Sequence, residues 1–147
     1  PEAGLRAFAR VYAGWALSQA FFREALCTTL GLESVEGVVG FVYDYFARRD
    51  VNDLLGMLWT WQHADISKNA RFGGDFAAAL GAISARAIIM PGSTDLYFTV
   101  ADSEIEVSHM PNAELRPIES LFGHFAGGGQ VPEGKAMIDE AIAELLA

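Results

Sequence analysis

The sequence predicts an α/β fold in two parts: a helical segment, then strand, helix, strand and helix around a short parallel sheet. Three observations carry this. Apolar residues recur at helical spacing up to about Gln62, the pattern shifts near Ala70 to short apolar runs ended by turn residues, and those runs alternate with helical stretches. Such alternation implies a right-handed crossover between neighbouring parallel strands. Residues 1–70 are therefore expected to form a helical region and residues 71–147 an α/β segment, the two making one structural unit of a larger domain.

The first helix is expected from Leu5 to about Leu26, where Phe8, Tyr12, Trp15, Gln19 and Phe22 recur and Ala9, Ala13, Ala16, Leu17 and Ala20 widen the apolar face. "TTLGLES" breaks it, and Ser34 is an N-cap for a second helix with Val35, Val38, Val39, Val42, Tyr45 and Phe46 on its apolar face. Gly37 and Gly40 either weaken that helix or admit a close neighbour. Asp50, with Asp53 behind it, opens a third helix through Leu54, Leu55, Leu58 and Trp59 to about Gln62. "HADISKNARFGGD" reads as loop, and Asp75 caps the short helix "FAAALGAI".

"ARAIIMPG" is a brief Ile-rich run stopped by Pro-Gly, the pattern of a buried strand in a parallel sheet. A helix from about Val100 to Met110, the turn "PNA" and a second strand, "ELRPIES", follow. "SLFGHFAGGG" must be loop, because consecutive glycines cost too much backbone entropy in a regular element. The last helix has Pro132 near its first turn and Met137, Ile138, Ala141, Ile142, Leu145 and Leu146 at helical spacing.

Composition excludes several classes of function. Ten Lys and Arg against nineteen Asp and Glu give a net charge of −9 with no basic stripe, so nucleic acid is not an expected partner. No apolar run is long enough to suggest a membrane span, and the expected location is cytoplasmic. Cys27 is the only cysteine; it permits no internal disulfide and is expected to pack as a small hydrophobe. The abundance of apolar residues, 52% of the chain, leads to the expectation of a homo-oligomer. The start at Pro1, just before helix, leads to the expectation that the sequence begins inside a longer protein.

In open parallel sheets ligands sit beyond the carboxyl ends of the strands. There "PGSTDLYF" places Asp95 after the first strand and "SLFGHF" places His124 after the second. A carboxylate that accepts the Nδ1 proton of an imidazole fixes its tautomer and leaves Nε2 as a general base. His63 reads instead as a helix-end residue and His109 as a helix C-terminal charge partner. No metal or organic cofactor is implied.

"IIMPGSTDLYF", "SHMPNAELRPIES" and "LFGHFAGGG" resemble the carboxyl-terminal third of α/β-hydrolase proteins related to homoserine O-acetyltransferase, and "DLLGMLWTWQHADIS" with the helices before it is similar to that family's helical lid. The resemblance implies a partial α/β-hydrolase fold acting on a small-molecule ester or acyl substrate, with Asp95 the triad acid and His124 the triad base. Trp61, Tyr97 and Phe125 are candidate substrate-binding side chains. Trp59, Trp61, Tyr97 and Phe98 are equally candidates for core.

Two departures stand beside the resemblance. No G-x-S-x-G nucleophile elbow exists in these 147 residues, and Ser93 lacks both flanking glycines. Phe125 stands where homoserine acetyltransferases typically carry an aspartate for the substrate ammonium. An esterase or acyltransferase portion, inactive alone, is therefore the expected function; the alternative is a non-enzymatic oligomerisation or binding module.

Overall fold

The expected long first helix is two helices. The computed structural model describes residues 2–129 and 131–147, so the opening Pro1 lies outside it. Helix α1 (Glu2–Ala16) stops before Ser18, and α2 (Gln19–Arg23) starts after it. Ser18 is extended, with φ −71° and ψ 159°, and its hydroxyl accepts from the Phe21 amide at 3.0 Å, which satisfies a free donor of α2's first turn. Apolar periodicity runs through this break, which is why spacing alone does not show it.

A 3-10 turn, Leu26–Leu30, ends at Gly31, whose φ of 72° a glycine adopts without strain. Helix α3 (Val35–Ala47) follows its Ser34 cap, and α4 (Val51–His63) follows Asp50, which accepts from the Asn52 amide at 2.7 Å. Asp75 caps α5 (Phe76–Gly81) as expected, accepting from the Ala78 amide at 2.9 Å.

Helices α1 and α3 pack together through small residues. Ala9 and Ala13 of α1 meet Val38 and Val42 of α3, and Leu17, Phe21 and Cys27 complete the core. The alanine side of α1, rather than its aromatic side, is buried; Trp15 is 52% exposed. Cys27 packs inside this cluster as a small apolar group.

The second half is strand, helix, strand, helix. Strands β1 (Ala87–Ile89) and β2 (Ala113–Leu115) pair in parallel, Ala87 opposite Ala113 and Ile89 opposite Leu115, with α6 (Val100–His109) between them in sequence. Both are shorter than the sequence runs. Pro91 has no N–H to give to the Arg116 carbonyl, so the ladder lapses after the Arg116 amide donates to the Ile89 carbonyl at 2.8 Å and returns as a single bridge between Gly92 and Ile118. Helix α7 (Pro132–Leu146) begins on Pro132, and its Glu144 pairs with Arg86 and, at 2.9 Å, with Arg116 near the two strands. The whole is mostly helical with a small parallel sheet, a partial α/β fold. Among the described residues no helix is long and apolar enough to cross a membrane.

Candidate active site

Chain continuity places Asp95 and His124 beyond the same ends of β1 and β2, and hydrogen bonds fix their orientation. The Asp95 amide donates to the Gly92 carbonyl at 3.0 Å, turning the chain sharply after β1. One carboxylate oxygen, Oδ1, accepts from the Tyr97 and Phe98 amides at 2.8 and 3.2 Å. The other, Oδ2, lies 2.9 Å from His124 Nδ1. An ionised carboxylate only accepts, so Nδ1 carries a proton, and in the neutral imidazole Nε2 keeps its lone pair. The Asp95 side chain is 6% exposed and that of His124 30%, so the acid is enclosed while the imidazole reaches open space.

The His124 loop is held by contact as well as by hydrogen bonds. A 3-10 turn, Gly123–Phe125, carries the histidine; Gly123 has φ 56° and sits so close to the α1–α2 junction that an added Cβ would lie 2.7 Å from the Ala16 carbonyl oxygen. Gly92 underlies the same turn, its virtual Cβ 2.6 Å from the Gly123 oxygen. Of the three glycines after Ala126, Gly127 meets only ordinary contacts, whereas Gly129 has φ 80°.

Aromatic rings wall the imidazole. Tyr97 meets it edge-on at 5.4 Å between centroids, Phe98 lies at 5.5 Å, and Trp61 packs behind both at 5.5 and 6.0 Å. Phe125 lines a recess of about 340 Å³ with His124, Tyr12, Leu32, Phe41 and Phe46. A second recess, about 500 Å³, opens beside Met90, Gly92, Asp95 and His124. The imidazole thus separates an apolar hollow under the helices from an opening at the strand ends. Trp61 reaches the site through Tyr97 and Phe98.

Burial is the main cause that pushes the Tyr12 and Tyr97 phenols above their ordinary value, and the Asp95 charge adds to it. The unfolded chain then ionises these phenols first, so the stability they confer is present below about pH 10 and is lost as pH rises through the higher folded-state values. A Tyr12→Phe, Tyr97→Phe double variant should show a shallower fall in urea midpoint between pH 9 and pH 11, read by fluorescence, than the parent; an equal fall would refute this coupling.

The other sequence candidates fall elsewhere. His63 ends α4, its Nδ1 at 2.7 Å from the Trp59 carbonyl and its ring stacked on Trp59, and His109 lies in the last turn of α6. Among the described residues no three His, Cys, Asp or Glu side chains gather as metal ligands would. Ser93 is committed to its loop, its Oγ accepting from the Ser120 amide at 3.1 Å. Sequence reasoning missed Ser18, Ser93 and Thr94 as contacts of the histidine loop. The adjacency of two hydroxyl residues to Asp95 in "STD" was the available signal.

The chain is 41% identical over 146 residues to an ethyl acetate hydrolase of Pseudomonas veronii, and 41% identical over 122 residues to a probable esterase of Corynebacterium glutamicum. Its relatives along its whole length are esterases. The solved acetyl esterase MekB superimposes on 99% of the chain with a TM-score of 0.92 at 41% identity. An acetylester hydrolase from Corynebacterium glutamicum superimposes on 98% with a TM-score of 0.91 at 37% identity. No family model matches. These relatives support an α/β-hydrolase-like esterase kinship and give no support to the narrower likeness to homoserine O-acetyltransferase. The chain spans 41% and 34% of the two sequence relatives and 42% and 41% of the two solved chains.

Proposed function

We propose that this chain is the acid-and-base portion of a serine-dependent hydrolase of small acetyl esters. The observation that carries the reading is the 2.9 Å contact from His124 Nδ1 to an enclosed Asp95, which leaves Nε2 free at the edge of an apolar recess. In this reading Nε2 takes the proton of a serine hydroxyl as that oxygen attacks the ester carbonyl, and returns it to the departing alkoxide. A water then repeats the cycle on the acyl-enzyme. Asp95 holds the tautomer and stabilises the imidazolium. The serine comes from sequence outside these 147 residues, residues 1–70 act as the helical lid, and residues 71–147 belong to the sheet. Tyr97 and Phe125 border the ester, with Trp61 behind them.

Water is the favoured acceptor because Phe125 offers no charge to bind an amino-acid acceptor, and because the relatives are named for ester hydrolysis. The exposed apolar side chains of α4, among them Trp59 at 62%, fit cover by the rest of a longer protein as well as cover by a second copy. They therefore do not favour a binding module over an enzyme.

The test is a hybrid in which this chain replaces the matching segment of the Pseudomonas veronii ethyl acetate hydrolase. The hybrid should hydrolyse ethyl acetate with saturation kinetics, and the chain by itself should not. A folded hybrid without activity, or a saturable esterase activity in the chain alone, would sink the proposal.

A further inference from the structure

Residues 120–123 form the approach to His124, and their backbone groups have no ladder partners, since the last bridge to β1's extension is at Ile118. Polar backbone groups in a partly buried segment need partners. Hydroxyls supply them. The Ser120 amide donates to Ser93 Oγ at 3.1 Å, the Ser120 carbonyl accepts from Thr94 Oγ1 at 2.8 Å, and the Leu121 carbonyl accepts from Ser18 Oγ at 2.6 Å. The Gly123 amide then donates to Thr94 Oγ1 at 3.1 Å. One side chain therefore grips both ends of the approach, donating at Ser120 and accepting at Gly123.

Thr94 is also the residue immediately before Asp95. Its backbone is part of the turn that presents the carboxylate, and its hydroxyl fixes the residue immediately before His124. We infer that Thr94 is a positioning residue that sets the separation of Asp95 and His124, coupling the two loops through a single hydroxyl. The inference rests on the reading of His124 as the base. Ser93 touches only Ser120, at the far end of the approach, and so does not set the histidine in the same way.

Valine copies the shape of threonine and removes both bonds, leaving the Gly123 amide short of a partner and the Ser120 carbonyl with only the longer bond from Ser93 Oγ at 3.4 Å; serine keeps both. In the hybrid, Thr94→Val should lower kcat on ethyl acetate roughly tenfold to a hundredfold, since small misplacements of a catalytic group cost rates of that order. KM should stay within about twofold, because ground-state contacts are untouched. Thr94→Ser should restore kcat, and Ser93→Ala should cost less than Thr94→Val. In the same variants, the nitrogen shifts of His124 should show a single Nδ1–H tautomer for the parent and Thr94→Ser, and a mixture for Thr94→Val. That readout does not need turnover. Unchanged kcat and tautomer in Thr94→Val, with His124→Ala inactive, would overturn the positioning role and leave the base intact. An active His124→Ala would instead overturn the reading on which the inference rests. Should Thr94→Val lose its fold, Thr94→Ala is read by the same two measurements.

Discussion

His124→Ala in the hybrid should lower kcat for ethyl acetate by roughly a thousandfold or more, with KM little changed. General acid–base catalysis by a placed side chain contributes factors of about 10² to 10⁴, and here the same imidazole serves both halves of the reaction. Asp95→Asn should cost a similar factor for a different reason. The carboxamide keeps an oxygen for the Tyr97 and Phe98 amides, so the turn survives. Its nitrogen is then directed at His124 Nδ1, where two donors cannot both point, and the imidazole must shift its proton to Nε2. A base in that tautomer has no lone pair for the serine. The two variants therefore separate presence of the base from its protonation geometry, and the nitrogen shifts of His124 in Asp95→Asn should report the Nε2–H form. Either variant retaining a tenth of the parent kcat would remove this pair from the chemistry.

How much of this was legible in the sequence differs by element, for physical reasons. Helix starts were readable because their caps are local: Ser34, Asp50 and Asp75 each bond an amide two or three residues on. The meeting of Asp95 with His124 was readable because each follows a strand, and parallel strands joined by a helix put their ends together. The break at Ser18 was not, although its cap at the Phe21 amide is just as local, because apolar spacing runs on through it and the bond that anchors the junction is long-range. Ser18 Oγ divides itself between the α2 amide at Phe21 and the carbonyl of Leu121, a residue far along the chain. The burial of α1's alanine face was hidden for a related reason. Large aromatics raise the apolar count on the other face, but close approach of α3 selects the small side chains. The aromatics then become the wall near His124, where Tyr12 and Trp15 both meet Tyr97.

That coupling between the helical part and the histidine loop is concentrated at Gly123, and Gly123→Ala should destabilise the hybrid by about 3 kcal/mol. A left-handed backbone costs a Cβ-bearing residue roughly 1 to 2 kcal/mol, and overpacking adds about 1 to 3. Both terms act here, because φ is 56° and the new methyl would lie 2.7 Å from the Ala16 oxygen and 3.1 Å from the Ser18 amide nitrogen. These are backbone atoms, so no rotamer change relieves the clash. Either the α1–α2 junction retreats, weakening the Ser18 bonds, or the turn moves and carries His124 away from Asp95. Gly127→Ala is the matched control: the added methyl would meet only Ile138 Cδ1 at 3.8 Å, an ordinary contact, and its stability should stay within about 0.5 kcal/mol of the parent. Urea midpoints of the two variants decide the matter. Equal midpoints would mean that the histidine loop is not seated on the helical part.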